Sequence, residues 1–81
     1  MDEKSLLLDK AIIITRIEYM ILNLYNDPDN IFQAICQLID EHKIAEEKDT
    51  MSYFYELLFY KGYTEYAEKF AIRYNIKTKN S

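Results

Sequence analysis

Apolar residues recur along this 81-residue chain at intervals of three and four, which is the period of an amphipathic helix. Four stretches carry this pattern, and they predict helices over about residues 5–26, 28–43, 50–61 and 65–75. One glycine and one proline interrupt the chain, whereas sheets and sandwiches need frequent turn residues. We therefore predict an all-α fold, a compact bundle of four helices in a single domain over residues 1–81, with a short polar C-terminal tail at about 77–81.

The first predicted helix, with Ser5 as its possible N-cap, is apolar on nearly all sides. The β-branched run 12–14 could form a strand by local propensity, but the period of the apolar positions favours a helix. Only a narrow polar stripe interrupts that surface, and so small a chain cannot easily cover the rest. We therefore expect part of this helix to lie in a homodimer interface, to which we assign Ile12, Tyr19 and Leu22. The polar stripe consists of residues spaced seven apart, Asp9, Arg16 and Asn23.

The second predicted helix has the most conventional amphipathic pattern. Asp27 is a suitable N-cap, Pro28 suits the first helical position, and Asp29 adds negative charge where the helix dipole favours it. The predicted buried stripe consists of Ile31, Phe32, Ile35, Cys36, Leu38 and Ile39.

Residues 51–74 hold most of the aromatic side chains, and Gly62 divides them into two helices. Gly62 stands where a helix end needs the left-handed conformation, so we predict a helical hairpin about it. Asp49 or Thr50 can cap the first helix of the hairpin, and Thr64 can cap the second. The second helix has a clean apolar stripe of Ala67, Phe70, Ala71 and Tyr74.

Tyrosine is unusually frequent, with eight residues against four phenylalanines. Each hydroxyl must reach water or a partner, and a hairpin of this length cannot turn every ring inward. Tyrosine is enriched where proteins recognise one another, which predicts a partner-binding surface. The alternative is that an AT-rich genome raises the tyrosine count without functional meaning. We assign the partner surface to Tyr53, Tyr60, Tyr63 and Tyr66.

The net charge is -4, which disfavours a domain that must neutralise many phosphates. A basic edge on the last helix nevertheless supports an alternative hypothesis, a DNA-binding transcriptional regulator. Glu65 and Glu68 argue against it, since they would face phosphates at the start of a recognition helix. Cations near a helix C-terminus also stabilise the helix dipole without any ligand. The basic residues recur every four positions, at Lys69, Arg73 and Lys77.

Catalytic and metal-binding groups are scarce in this sequence. Cys36 is the only cysteine and His42 the only histidine, so the sequence allows neither an intramolecular disulfide nor a cysteine-based metal site. His42 and Glu46 have the i,i+4 spacing of two metal ligands, but two ligands do not complete a site. Cys36 and His42 are six residues apart, which places them on different sides of a helix. We predict no catalytic residue, no metal, no cofactor and no enzymatic activity.

The N-terminal segment is apolar enough to raise the question of a signal or membrane anchor. Asp2 and Glu3 give the wrong charge for a signal peptide, and further charged residues interrupt the apolar run. A single cysteine fits a reducing compartment. We therefore expect no membrane association and a cytoplasmic location, either in a bacterium or in an infected host cell.

These features together favour binding over catalysis. The leading hypothesis is a small acidic helical protein–protein interaction module, a homodimeric regulator or inhibitor of a host or partner protein. The residue usage and small size suggest that a phage, virus or other mobile element encodes it. The alternatives are the DNA-binding regulator and a structural subunit of a larger assembly, and the sequence does not identify the partner.

Overall fold

A computed structural model describes residues 3–77 of the chain and the side chains of residues 9–77. These residues contain no strand, and the all-α prediction with four helices is confirmed. Residues 78–81, which make up most of the predicted polar tail, lie outside the described range. The helices are α1 (Glu3–Leu22), α2 (Pro28–Glu41), α3 (Lys48–Tyr60) and α4 (Thr64–Tyr74), with 3₁₀ turns at Leu24–Asn26 and Ile44–Glu46.

The contacts between residues group the chain into two compact units, Met1–Glu46 and Glu47–Ser81. The first unit pairs α1 with α2 and includes both 3₁₀ turns. The second unit is the α3–α4 hairpin, which confirms the hairpin predicted about Gly62. Within residues 9–77, no polar or charged residue is buried, so both cores are apolar.

The core of the first unit is aliphatic. On α2, the predicted stripe is confirmed: Ile35, Cys36 and Ile39 are buried, while its other members are half-buried. Burial of an isoleucine side chain contributes about 1.5–3 kcal/mol, so these side chains stabilise the pairing of α1 with α2. The other buried residues of this unit are Ile17, Ile21, Leu24 and Ile44.

Helix α1 is shorter at its C-terminal end than the predicted 5–26. The backbone N–H of Asn23 donates to the Tyr19 carbonyl at 3.1 Å, and the Asn23 side-chain amide donates to the same oxygen at 2.8 Å. An asparagine that bonds the last turn in this way competes with further helix and ends it. The chain then forms the 3₁₀ turn, in which Leu24 is buried and Tyr25 is 66% exposed.

Helix α2 starts where the sequence predicts and ends two residues early. Asp27 is the N-cap residue, but its carboxylate accepts a hydrogen bond from the Asn30 side-chain amide at 2.8 Å rather than from the backbone. At the other end, Lys43 has a φ of 56°, in the left-handed region. A left-handed residue cannot continue a right-handed helix, so α2 stops at Glu41 instead of residue 43.

The turn between α3 and α4 satisfies the last carbonyls of α3. The backbone N–H of Tyr63 donates to the Leu58 carbonyl at 2.9 Å, and the N–H of Gly62 donates to the Phe59 carbonyl at 3.1 Å. This is the hydrogen-bond pattern of a Schellman motif, and Gly62 takes the positive φ that the motif requires, 90°. The buried residues of the second unit are Met51, Phe54, Leu58, Ala67, Phe70 and Ala71.

Three predicted N-caps are wrong, because the residues lie inside the helices that they were expected to precede. Helix α1 already includes Ser5, and α3 begins at Lys48, because the Met51 N–H donates to the Glu47 carbonyl at 3.0 Å. Asp49 and Thr50 therefore lie inside α3, and Glu47 is its N-cap. Thr64 is the first residue of α4 rather than its cap. Helix α4 ends as predicted near Asn75, which is left-handed with a φ of 54°.

Candidate interaction surfaces

Helix α1 exposes an apolar face, which we call the α1 face and define as Ile12, Thr15, Tyr19 and Leu22. The three large side chains that the sequence assigns to a dimer interface are 57%, 64% and 43% exposed, respectively. Thr15 is also exposed, and its hydroxyl donates to the Ala11 carbonyl at 3.0 Å, which leaves its methyl group available for apolar contact. The spacing i, i+3, i+7, i+10 places all four residues on one side of the helix.

Helix α1 has a second apolar side, opposite the α1 face, and this second side is the one that is buried. Ile17 and Ile21 are fully buried there, and Ile13 and Ile14 are half-buried. The helix thus packs one apolar side against the rest of the first unit and exposes another apolar side to solvent. The predicted polar stripe of Asp9, Arg16 and Asn23 is exposed beside the α1 face.

Helix α3 carries the two most exposed of the four tyrosines that the sequence assigns to partner binding. Tyr53 is 44% exposed and Tyr60 is 77% exposed. Phe59, which is not among the residues predicted from the sequence, is 45% exposed and lies edge-on to the Tyr60 ring with centroids 6.0 Å apart. The Tyr55 ring also stacks on Phe59, with ring centroids 6.3 Å apart. Four aromatic rings thus contribute to the outer surface of α3.

The other two assigned tyrosines are half-buried. Tyr63 belongs to the turn, where its backbone N–H bonds to Leu58 and its carbonyl accepts from Ala67 at 2.8 Å. The Tyr66 ring lies under the Lys69 ammonium group, which is 5.2 Å from the ring centroid. The structure therefore does not group the four tyrosines into one uniformly exposed set.

The predicted basic edge is shorter than its spacing suggests. Lys69 and Arg73 are exposed on α4, but the helix ends at Tyr74, so Lys77 lies beyond it and does not continue the row. The Arg73 Nε donates to the Tyr74 hydroxyl at 3.2 Å, and its guanidinium carbon is 5.5 Å from the Tyr74 ring centroid. Both helical cations of this edge thus contact tyrosines of their own helix.

The residues whose side chains could serve in catalysis or metal binding do not form a common site. Cys36 is 4% exposed in the first core, and His42 is the half-buried residue that ends α2. Glu46 follows in the next 3₁₀ turn, so the His42–Glu46 spacing does not fall on a helix and the two do not form an i,i+4 helical pair. Among the described residues, no three His, Cys, Asp or Glu side chains group as metal ligands.

None of the helices, over the residues that the structure describes, has the length and apolar character needed to cross a membrane. Comparison of the chain with known protein families, with curated protein sequences and with solved structures gave no match.

Proposed function

We propose that this chain is a protein–protein interaction module that acts as a homodimer, with the α1 face of one copy packed against the α1 face of another. The observation that carries the proposal is the exposure of Ile12, Tyr19 and Leu22 on one side of α1. Apolar residues grouped in this way mark protein interfaces more often than scattered exposed residues do. Their removal from water favours association by about 25 cal/mol per Å² of apolar surface.

The spacing of the α1 face supports a helix-to-helix contact. Ile12, Thr15, Tyr19 and Leu22 alternate steps of three and four residues, as do the core positions of a coiled coil. A seam of only a few turns is shorter than most stable interfaces, which bury about 800 Å² per partner. We therefore expect dimerisation in the micromolar range.

The wider role that we propose is regulation or inhibition of a partner protein in the cytoplasm of a bacterium or an infected host cell. The tyrosines on α3 support a second binding surface in addition to the dimer interface, because exposed rings offer large contact area at low entropic cost. Abundant tyrosine, isoleucine, lysine and asparagine fit an AT-rich genome such as that of a phage, virus or mobile element.

The test is the molar mass of the purified full chain in solution, measured by light scattering and sedimentation equilibrium from low to high micromolar concentration. We expect a dimer that Ile12→Glu weakens by at least about 100-fold, because the dimer would bury two added carboxylates. Ile72→Glu on α4 is the matched control, since Ile72 is 83% exposed and lies outside the α1 face.

A wild-type chain that stays monomeric at every concentration would contradict the homodimer. Equal weakening by both variants would show that the α1 face is not the interface. Circular dichroism of both variants checks that the helices are retained. Poor solubility that co-expression with a neighbouring gene product corrects would favour the structural-subunit alternative instead.

A further inference from the structure

Two exposed aromatic rings stand at right angles near the C-terminal end of α3. The Phe59 and Tyr60 rings have centroids 6.0 Å apart and planes inclined at 86°. Phe59 is 45% exposed and Tyr60 is 77% exposed. Two perpendicular rings form a corner, in which one small group can contact both rings at once. We call Phe59, Tyr60 and Glu56 together the ring corner.

Glu56 gives the ring corner a negative charge. It is exposed, and it lies three residues before Phe59 and four before Tyr60, the spacings of neighbours on a helix. Helical side chains lean towards the N-terminus, so both rings lean towards the turn that carries Glu56. The faces of aromatic rings are themselves negative. The ring corner therefore combines a carboxylate and two rings, all of which attract positive charge.

A further ring supports the ring corner from within the same helix. Tyr55 is half-buried and stacks on Phe59, with centroids 6.3 Å apart and planes inclined at 28°. A side chain that a packed neighbour already restrains loses less conformational freedom when it binds a ligand. The Phe59 wall of the ring corner is therefore partly preorganised.

The two lysines at the ends of α3 are not neighbours of Glu56 on the helix. Lys61 follows Glu56 by five residues, which places it about 140° around the axis. Lys48 precedes Glu56 by eight residues, or about 12 Å along the axis. Helix α3 thus places no cation of its own beside this carboxylate, and charge complementarity favours a cation from another molecule.

The exposure of the ring corner determines which cation fits it. An ordinary lysine ammonium group is strongly hydrated and gains little from an exposed carboxylate. A trimethylammonium group has no N–H groups to hydrate, and its methyl groups add apolar contact with the rings to the attraction between cation and ring. A quaternary ammonium group therefore uses both rings and the carboxylate, whereas a plain ammonium group uses mainly the carboxylate.

We propose that the ring corner binds a trimethylated lysine side chain of a partner protein, with the trimethylammonium group between the Phe59 and Tyr60 rings and its charge beside Glu56. Nucleic acid does not fit, because its phosphates and Glu56 repel one another. This inference rests on the proposed function as an interaction module and specifies the chemistry of its partner. The lysine stem adds apolar contact that a small ligand such as choline lacks.

The experiment adds a short serine–glycine peptide with one central trimethyllysine to the isotope-labelled full chain and follows the NMR signals of the Phe59 and Tyr60 rings. The matched peptides carry unmodified lysine or a neutral isostere in which carbon replaces the charged nitrogen. Because the site is shallow, we expect saturable binding in the millimolar range. The trimethyllysine peptide should bind at least about fivefold tighter than either matched peptide. Choline that binds as tightly as the trimethyllysine peptide would overturn the assignment to a protein side chain.

Paired variants separate the ring corner from the rest of the surface. Tyr60→Ala should weaken binding of the trimethyllysine peptide at least about fivefold, whereas Tyr25→Ala, which removes a ring that is 66% exposed in the first unit, should leave it within about 1.5-fold. Glu56→Gln should weaken binding about two- to threefold, and Glu68→Gln at an exposed acid of α4 should leave it within about 1.5-fold. Equal losses within either pair of variants, or equal binding of the three peptides, would overturn the inference.

The peptide titration and the mass measurement test different surfaces. The peptide contacts only the ring corner on α3, whereas Ile12→Glu changes only the α1 face. A chain that stays monomeric but binds the trimethyllysine peptide would contradict the dimer alone. A dimer that binds the three peptides equally would overturn the ring corner alone, so the two failures are distinguishable.

Discussion

The two helix pairs of this protein are built from different side chains. The α1–α2 core holds five buried isoleucines with Leu24 and Cys36. Its buried apolar surface is therefore spread over many aliphatic side chains, most of them of the same size. The α3–α4 core combines two buried phenylalanines, Phe54 and Phe70, with two buried alanines, Ala67 and Ala71. Close packing explains the second combination, because large rings need small neighbours if the interior is to be filled without overlap. The hairpin core therefore concentrates much of its buried apolar surface in two large rings.

The largest expected effect concerns one of these two rings. Phe70→Ala should lower the free energy of unfolding by about 3–5 kcal/mol, since it removes a fully buried ring and leaves a cavity. Ile35→Val in the other core should cost about 0.5–1.5 kcal/mol. Urea denaturation followed by circular dichroism measures both changes. Tyr60→Ala is the control, because it removes an exposed ring from the same unit and should stay within about 0.5 kcal/mol.

A cost below about 1 kcal/mol for Phe70→Ala would contradict the comparison of the two cores. It would mean that the hairpin closes around the missing ring or stabilises itself by other contacts. The total stability of a small domain is about 5–15 kcal/mol, so the expected loss is large enough to measure.

The buried alanines of the α3–α4 core allow a second test of its packing, with a smaller expected change in stability. Ala67 is fully buried, so Ala67→Leu adds atoms to a filled interior and should cost about 1–3 kcal/mol. Ala11→Leu makes the same change at an exposed position of α1 and should stay within about 0.5 kcal/mol. Thermal unfolding measures the melting temperatures of the two variants. Because both positions are helical, the change in helix propensity is common to both, and a lower melting temperature for Ala67→Leu reports overpacking. Equal melting temperatures would show that Ala67 has free space around it.

The smallest expected effect concerns the left-handed residues that follow α2 and α3. Gly62→Ala should cost about 1–2 kcal/mol, because alanine is strained at a φ of 90° even though no atom lies within 4 Å of its added Cβ. Lys43→Gly should have the opposite sign and stabilise by up to about 1 kcal/mol, because glycine relieves the strain at a φ of 56°. Urea denaturation measures both shifts, and a loss of stability in Lys43→Gly would contradict the argument.

Much of the fold follows from the sequence alone, because its signals are local. The three-and-four spacing of apolar residues defines α2 and α4, and the only glycine marks the turn of the hairpin. The helix ends were less predictable. Asn23 and Lys43 end α1 and α2 through a side-chain hydrogen bond and a left-handed backbone, and neither residue type requires that role.

The interaction surfaces depended more on the tertiary structure. Helix α1 is apolar on almost every side, so its sequence does not specify which side is buried; contact with α2 leaves Ile12, Tyr19 and Leu22 exposed. The spacing of Glu56, Phe59 and Tyr60 is visible in the sequence, but whether each ring points to solvent depends on packing. Periodicity assigns the faces of a helix only where polar and apolar residues separate cleanly, and elsewhere the packed neighbours decide.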